Sequence, residues 1–470
     1  MSRSSLWLPL LALVAACGGG PATDQDRFDR LLSFSRAEIA RQRVPGAAIA
    51  VIVDGEVAFS AGLGTKALGT DDPVHAETMF GIGSTTKMLT AAGLLALQDR
   101  GVLDLDDPVV EHVADLQLAD GFDVQAGQIT LRQLLQHTSG LPNAVENVCA
   151  ESLDDRWAGF HPPLWSEPGL LYQYSSSGYT LAGLALQRAA GEPFAEALRE
   201  LVFDPAGMPG ITFDAATAMA LDHSLGHRAD DEGNLTAVEL DSNGCTYMVP
   251  SGNQTYVSAP ELARFAATVM EGGGEMLSAA GVAELLETPV DTHGFPGERY
   301  GLGLTALDGP WDRVLSHSGN DTRFAASVAF APDRRFGVVV LMNSGAGVPI
   351  RIAAEALRLF VGTDDGLVLP HLDRREQLPP VSSYPRYVGT YLEPLQWGRA
   401  VVSIEDGDMV VDLVDVEGAP RAALVPVCGD VFVAVSEALS EDVELYFWFD
   451  GDPSSAARLV AEIGVFTRVP

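Results

Sequence analysis

Residues 80–90, FGIGSTTKMLT, place a serine three positions before a lysine, where a glycine-flanked turn meets an apolar run. Residues three apart share one face of a helix, so the hydroxyl of Ser84 and the amine of Lys87 can lie close together if a helix begins at the serine. A lysine can accept the proton of a serine only if burial or a neighbouring cation lowers its pKa. The same pattern also fits a serine that caps a helix ahead of a solvated lysine, so other segments must distinguish the two interpretations.

The segments on both sides of this stretch predict one antiparallel sheet. Two β-rich runs in residues 44–64 meet at Asp54-Gly55, a strong hairpin pattern, and residues 324–345 contain a second predicted hairpin that turns at Pro332-Asp333. Helical spacing lies between the hairpins, and another helix is predicted over Ile350 to Val361. This order predicts a sheet built from both ends of the region, with helices around it and an inserted all-helical part.

The character of the sequence changes after residue 362. Residues 363–386 are rich in proline and polar residues and are typical of a linker. From 387 to 470 the chain contains short β-prone runs separated by Asp-Gly turns, without helical spacing of any length. The fold class expected is therefore α/β (α+β) over residues 27–362, followed by a small, all-β, barrel-like domain over 387–470.

The N-terminus has the layout of a bacterial export signal. The apolar run from Leu6 to Ala16 is too short to cross a bilayer as a stable helix and fits a signal peptide over residues 1–16. The sequence VAAC at 14–17 resembles a lipobox, which would make Cys17 the site of lipid attachment and residues 17–26 a flexible tether. The alternative is plain secretion with cleavage elsewhere.

The composition excludes some classes of partner. The chain has 470 residues, 47% of them hydrophobic, which is enough to bury a large core. Its formal net charge of −35 argues against nucleic acid or an anionic membrane surface as a partner. Lysine occurs only at positions 66 and 87, so the opening stretch holds one of the two lysines of the chain.

Two later motifs change the interpretation of the opening stretch. Tyr174-Ser175-Ser176 stands at a predicted helix start, and His317-Ser318-Gly319 lies just before a predicted edge of the sheet. In this order the elements resemble the S-x-x-K, Y-x-N and K-T-G or H-x-G motifs of the serine β-lactamase and penicillin-binding-protein superfamily, especially its class C and esterase-like branch. The resemblance covers about Phe28 to Val361 and implies a β-lactamase/transpeptidase-like fold. Residues 387–391, YVGTY, are similar to the start of the β-barrel appended to many members.

Carried over position by position, the resemblance implies a catalytic set. Ser84 would be the acylated nucleophile, Lys87 its proton acceptor, and Tyr174 the group that moves the proton to the leaving group and activates water. The backbone N–H groups of Ser84 and Asn320 would form the oxyanion hole. Gly319 would let the substrate lie against the strand. No cofactor and no metal are expected, since neither a P-loop nor a dinucleotide-binding fingerprint occurs in the sequence.

Three departures from the motifs concern the substrate more than acyl transfer. Ser176 stands where the family has asparagine, and its side chain cannot offer an amide donor and acceptor together. His317 replaces the lysine of β-lactamases, so a fixed positive charge becomes one expected to titrate near pH 6.5. Arg323 stands where a glycine is common, and it either restores the lost cation or faces solvent. Packed or solvated structural roles remain the alternatives for Tyr174 and His317.

The remaining cysteines and histidines give weaker patterns. Cys149 and Cys245 lie in loop-like sequence and can either pair or stay reduced, as Cys428 can. His223 and His227 are spaced i, i+4, but no glutamate follows the first histidine and Gly226 interrupts a helix, so no metal site is predicted. A G-x-S-x-G nucleophile motif does not occur in the sequence.

These features predict an exported serine hydrolase of the cell envelope, periplasmic or anchored as an outer-membrane lipoprotein. It would act through an acyl-enzyme on small-molecule esters, amides or peptides, with weak or absent β-lactam hydrolysis. Membrane contact is expected only through the N-terminal lipid. The alternative is a catalytically silent lipoprotein that keeps the fold and binds cell-wall peptide. The intact set of Ser84, Lys87 and Tyr174 favours the enzyme, whereas Ser176 keeps the binder open.

Overall fold

A computed structural model of the chain describes residues 23–143, 152–230, 232–240, 249–293, 297–308, 313–362, 378–393, 398–416, 419, 421–428, 430–436, 443–450, 454–461 and 464–469. The expected leader with Cys17, both loop cysteines and residues 363–377 of the expected linker lie outside these ranges.

Several of the described α-helices begin or end at the glycine and proline signals of the sequence, as α7 does at Gly191 and α10 at Pro260. They are α1 Asp24–Gln42, α2 Thr86–Asp99, α3 Val109–His112, α4 Asp123–Ala126, α5 Leu131–Leu135, α6 Leu153–Ala158, α7 Ser176–Ala190, α8 Phe194–Leu198, α9 Ala215–Met219, α10 Ala259–Met270, α11 Ala279–Leu286 and α12 Ile350–Phe360. A π-helical turn, Arg199–Phe203, continues α8, and 3-10 turns cover Gly83–Thr85, Val249–Ser251, Pro332–Arg334 and Val381–Arg386.

The described strands fall into a central sheet, two short ladders and a barrel. They are β1 Gly46–Val53, β2 Glu56–Gly64, β3 Met79–Gly81, β4 Gly226–Ala229, β5 Leu235–Val238, β6 Tyr256–Ser258, β7 Val290–Asp291, β8 Glu298–Tyr300, β9 Thr305–Asp308, β10 Arg313–Asn320, β11 Ala325–Ala331, β12 Phe336–Met342, β13 Gly389–Glu393, β14 Gly398–Glu405, β15 Asp408–Leu413, β16 Ala422–Cys428, β17 Val431–Val435, β18 Val443–Trp448, β19 Arg458–Ala461 and β20 Gly464–Val469.

The central sheet joins strands from both ends of the larger domain, as the two hairpins predict. Its described strands follow the order β2-β1-β12-β11-β10-β9-β8-β7, each antiparallel to its neighbours. The β1–β2 turn lies at Asp54 and Gly55, which both have the positive φ typical of a two-residue hairpin turn. β1 pairs with β12 from Ala47 opposite Met342 onwards, so the first and last strands of this domain lie side by side, next to the edge strand β2.

Helices cover both faces of this sheet because its central strands are apolar on both sides. Side chains 48, 50 and 52 of β1 pack into one core cluster with α2, α7 and α10. Side chains 47, 49 and 51 pack on the opposite face with α1 and α12. The alternation follows from the two-residue period of a strand. The α/β expectation for this domain is confirmed.

Helix α2 is the central helix of the larger core. Its residues are buried from Thr86 through Leu97, as expected for a helix with apolar residues on every side. The sequence predicts a helix start at Ser84, whereas the structure has a 3-10 turn first. Thr85 and Thr86 tighten that turn, since their hydroxyls donate to the carbonyls of Ile82 and Gly83, each at 2.8 Å.

The C-terminal strands β13–β20 form a closed antiparallel barrel in the described part of the chain, which confirms the predicted all-β architecture. Aromatic rings fill its interior, among them Tyr387, Tyr391, Phe432 and Phe447. Tyr384, at the end of the expected linker, is buried in the same cluster, so the last linker residues pack with the barrel. Over the described residues, no helix is long and apolar enough to span a bilayer.

Candidate active site

Ser84 lies in a backbone turn that is closely packed on both sides. It is partly exposed in the 3-10 turn ahead of α2. Gly83 has a φ of 51°, and a Cβ there would lie 2.7 Å from the backbone nitrogen of Asn320. Gly319 has no room for a side chain either, because a Cβ would collide with the carbonyl oxygen of Ile82. The two glycines therefore bring β10 directly against the turn that carries the serine.

Lys87 is fully buried in the first turn of α2. Its Nζ lies 3.1 Å from Ser84 Oγ, 3.4 Å from Ser176 Oγ and 2.6 Å from the carbonyl oxygen of Ser251. Burial lowers the pKa of Lys87 from 10.5 to about 7. Near neutral pH a large share of this amine is therefore unprotonated and can accept the proton of Ser84. A solvated lysine, the alternative for this position, is excluded.

Tyr174 lies between this lysine and a buried histidine. Lys87 Nζ is 4.7 Å from the centre of the Tyr174 ring. The centre of the His137 ring is 4.3 Å from the centre of the same tyrosine ring. His137 Nδ1 accepts the backbone N–H of Ser175 at 3.0 Å, so a neutral His137 carries its proton on Nε2. Burial, with a smaller contribution from Lys87, lowers the pKa of His137 well below 6.5 and keeps it neutral.

Ser176 begins α7 beside the same amine. Its backbone N–H donates to Asn143 Oδ1 at 2.9 Å, and its hydroxyl faces Lys87 Nζ. Ser175 caps the helix, since its hydroxyl accepts the N–H of Gly178 at 2.9 Å. The shorter side chain at 176 thus contacts the amine of Lys87, and a second polar side chain, Asn143, lies next to it.

His317 is buried on β10, and the expected titration near pH 6.5 is wrong. Its Nδ1 donates to the carbonyl oxygen of Ser318 at 2.6 Å, and its Nε2 accepts the hydroxyl of Tyr300 at 3.1 Å. Burial lowers the pKa of His317 to about 3, with a further contribution from Lys87. Both ring nitrogens are therefore used by a neutral imidazole, and His317 does not supply a positive charge at physiological pH.

Arg323 neither faces solvent nor supplies the lost cation. Its side chain is 7% exposed and forms an ion pair with Asp321 at 3.1 Å within the loop after β10. The carbonyl oxygen of Arg323 accepts the N–H of His227, which ties this loop to β4. The arginine therefore closes a local loop, and it does not line the cavity at Ser84.

A cavity of about 620 Å³ opens at Ser84. Its lining contains Ser84, residues of the second and third motifs, and residues of strands β8 to β11. The lining residues are Ser84, Tyr172, Tyr174, Glu298, Tyr300, Thr305, Ser316, His317, Ser318, Gly319, Asn320, Ala325, Ala326, Gly347, Val348, Pro349 and Ile350. A substrate carbonyl in this cavity can reach a hydroxyl, an unprotonated amine next to it and backbone N–H groups, which is the set that acyl transfer requires.

The C-terminal barrel packs against the segment that carries Tyr174. The hydroxyl of Tyr446 donates to the carbonyl oxygen of Tyr172 at 2.8 Å, and the side-chain amide of Gln173 donates to the carbonyl oxygen of Ala461 at 3.2 Å. A small apolar cluster joins the two units beside these bonds. The barrel therefore holds the backbone directly before the tyrosine.

The two histidines considered for metal binding have different surroundings. His227 is buried, with Nδ1 facing the carbonyl of Asn343 at 2.6 Å and Nε2 accepting the N–H of Leu68 at 3.0 Å. His223 Nδ1 faces the carbonyl of Leu221 at 3.1 Å. Within the described ranges, no group of His, Cys, Asp or Glu residues is arranged to hold a metal ion.

Sequence reasoning missed several residues of the site. His137, Tyr300 and Glu298 lie outside the three motifs, and Ser251 contributes a carbonyl oxygen. A weak sign for His137 is its position ahead of Thr-Ser-Gly, where it adopts a φ of 58°, a left-handed conformation unusual for histidine. The other three are brought to the site by strand pairing and loop packing, which no local pattern encodes.

Comparisons with known proteins show which family the chain belongs to. The family model described as Beta-lactamase matches residues 28–363. Penicillin-binding protein 4 of Amycolatopsis lactamdurans is 26% identical over 78% of this chain and 96% of its own length. Penicillin-binding protein 4* of Bacillus subtilis is 24% identical over 86% of this chain and 93% of its own length. The crystal structure of SurE has a TM-score of 0.71 at 23% identity, covering 95% of this chain and all of that one, and so shares the fold. Since the family model spans well over half of the chain, the protein belongs to the beta-lactamase family and is a serine hydrolase of that family.

Proposed function

We propose that the protein hydrolyses esters, or small amides and peptides, through an acyl-enzyme on Ser84. The observation that carries this proposal is the buried Lys87, whose Nζ lies 3.1 Å from Ser84 Oγ and whose pKa is lowered to about 7. A lysine in that state can act as a base near neutral pH, which an ordinary lysine cannot.

The proposed reaction has two matching halves. Ser84 Oγ bonds to the substrate carbonyl carbon while its proton passes to Lys87 Nζ, and the N–H groups of Ser84 and Asn320 stabilise the oxyanion. As the intermediate collapses, the bond to the alcohol or amine breaks and Tyr174 relays the proton held by Lys87 to the departing atom, so that the lysine is again unprotonated and the tyrosine keeps its own proton. Water then repeats the sequence in the place of Ser84, releasing the acid and restoring the serine.

Two features support weak or absent β-lactam hydrolysis in this proposal. His317 is neutral in the place where β-lactamases have a lysine, and Arg323 is paired with Asp321 outside the cavity lining. The described part of the site therefore offers no fixed cation for the carboxylate of a β-lactam. The names of the penicillin-binding relatives nevertheless make penicillin a necessary member of any substrate panel.

The experiment is steady-state turnover of a panel of p-nitrophenyl esters, D- and L-amino-acid p-nitroanilides, penicillin and cephalosporin, with Ser84→Ala as the control. We expect turnover of esters well above that of the β-lactams, and none above background in the variant. Binding of cell-wall peptide without turnover of any compound would favour the silent binder, for which the replacement at Ser176 is the supporting feature.

We also propose the domain division and location inferred from the sequence. Residues 27–362 would form the catalytic domain, 363–386 a linker and 387–470 a second domain, after a signal peptide and a tether that begins with lipid-modified Cys17. Replacing Cys17 by serine should move the protein out of the membrane fraction, and unchanged partitioning would contradict the anchor.

A further inference from the structure

The cavity at Ser84 contains one formally charged side chain among its described lining residues, and that side chain is acidic. Glu298 lies on β8, and the rest of the described lining is neutral once His317 is uncharged. The chain as a whole carries a formal charge of −35, so its overall field also attracts cations. When Lys87 is in the unprotonated form that acts as the base, the described lining carries one negative charge, which disfavours a substrate carboxylate and favours a cationic group.

Strand geometry directs Glu298 toward the reaction site. Glu298 and Tyr300 are two apart on β8 and so share one face of the strand, and Tyr300 reaches His317 on β10 from that face. Arg299 points the other way, since its guanidinium donates to the carbonyls of Thr288 and Pro289. The acidic group therefore lies on the cavity side of the strand and its basic neighbour does not.

The carboxylate of Glu298 is held in position. Thr292 Oγ1 donates to Glu298 Oε2 at 2.7 Å. Its charge acts on Tyr172, where it contributes, after burial and the neighbouring Tyr174, to raising the pKa of the phenol well above 10. Tyr172 and Tyr174 also line this part of the cavity, and aromatic faces stabilise a neighbouring ammonium group.

We infer that Glu298 determines specificity by binding a protonated amine of the substrate, an inference that rests on the proposed function. The preferred substrates would be esters, amides or peptides whose acyl part carries a free amino group, such as aminoacyl esters and peptides with a free N-terminus. Blocking that amine by acetylation removes the charge that the carboxylate binds.

The test compares thiobenzyl esters of D- and L-alanine with their N-acetyl counterparts, using the wild type, Glu298→Gln and a matched control. Glu287→Gln is that control, because it removes one negative charge from an exposed position that does not line the cavity. We expect the wild type and Glu287→Gln to prefer the free amine at least tenfold in kcat/KM for one of the two enantiomers. Glu298→Gln should lose that preference, mainly through KM, because its loss of kcat/KM on the free-amine ester should be at least tenfold larger than its loss on the N-acetyl ester.

Three results would overturn the inference: no preference in the wild type, an equal loss on both substrates in Glu298→Gln, or the same loss in Glu287→Gln. Failure of the proposed function looks different, because no ester is then turned over by any variant. To keep the inference testable in that case, calorimetry on Ser84→Ala should show tighter binding of D- or L-alanine benzyl ester than of its N-acetyl form. Equal binding there would also reject it.

Discussion

The lowered pKa of Lys87 makes the most quantitative prediction about this site. If the unprotonated amine is the base for Ser84, kcat/KM for an ester should rise about tenfold per pH unit below pH 7 and level off above it. Replacing Lys87 by methionine should lower kcat/KM by about three orders of magnitude or more, the scale seen when one member of a catalytic unit is removed.

The magnitude follows from the fraction of the lysine that is unprotonated. At pH 7 an amine with a pKa of 10.5 is unprotonated in about 0.03% of molecules, whereas one with a pKa of about 7 is unprotonated in about half of them. Burial in α2 thus raises the population of the competent base by about three orders of magnitude at that pH.

The assay combines kinetics with a direct titration. The pH profile of p-nitrophenyl ester hydrolysis gives the apparent pKa of the free enzyme, and NMR of protein labelled at lysine Cε observes the amine itself. With Lys66 and Lys87 as the lysines of the chain, the spectrum should contain two signals, and Lys66→Met assigns them. Lys66 is the matched control, since its hydrogen bond to Asp222 raises its pKa and its removal should leave kcat/KM unchanged. A Lys87 signal that titrates near 10.5, or a flat rate profile, would refute the reasoning.

The same pKa has a consequence for stability, with a definite sign. The folded state lowers the pKa of Lys87, so between pH 7 and 10.5 the unfolded chain binds more protons and stability rises with pH. Below pH 7 the buried charge costs up to about 5 kcal/mol, a cost that Lys87→Met removes. Urea denaturation should therefore show the variant gaining most over wild type at pH 6 and less at pH 9. A gain that grows with pH would contradict this assignment.

Other predictions concern the groups around the nucleophile. Gly319→Ala should lower kcat/KM for an ester about 100-fold by displacing the oxyanion donors. Gly159→Ala is the control and should leave kcat/KM unchanged, because nothing lies within 4 Å of the new Cβ. Equal kcat/KM values for the two variants would contradict the proposed oxyanion hole. Tyr446→Phe removes a hydrogen bond from the barrel to the backbone just before Tyr174, the proposed proton relay, so it should lower kcat severalfold with KM and circular dichroism unchanged. A wild-type kcat would argue against positioning by the barrel. Tyr300→Phe leaves the buried Nε2 of His317 without its hydrogen-bond donor. The free energy of unfolding measured in urea should therefore fall by about 1–3 kcal/mol. Unchanged stability would count against that hydrogen bond.

Local sequence patterns predict much of the fold because residues next to each other in the chain determine its turns and helix ends. Asp54-Gly55 fixes the first hairpin, and Gly191 with a φ of 76° ends α7 where the helical spacing stops. The S-x-x-K spacing places Ser84 and Lys87 together because the backbone between them is helical. These features depend on residues a few positions apart.

What the sequence did not predict depends on packing between distant segments. Whether His317 is charged depends on burial and on the hydroxyl of Tyr300, which β8 and β9 bring to β10. The carbonyl of Ser251 reaches Lys87 only because the loop before β6 folds over α2. Arg323 could supply a cation for a substrate, but its side chain is buried and forms an ion pair with Asp321. Charge and burial at a site are tertiary properties, and a single sequence carries no direct record of them.

The measurement that tests the account most directly is the location of a covalent adduct. Intact-mass analysis after incubation with a fluorophosphonate probe should show the addition of one probe per chain, and peptide fragmentation should place it on Ser84. The Ser84→Ala protein should stay unlabelled under the same conditions. Labelling at another residue, or equal labelling of the variant, would contradict the acyl-enzyme at Ser84.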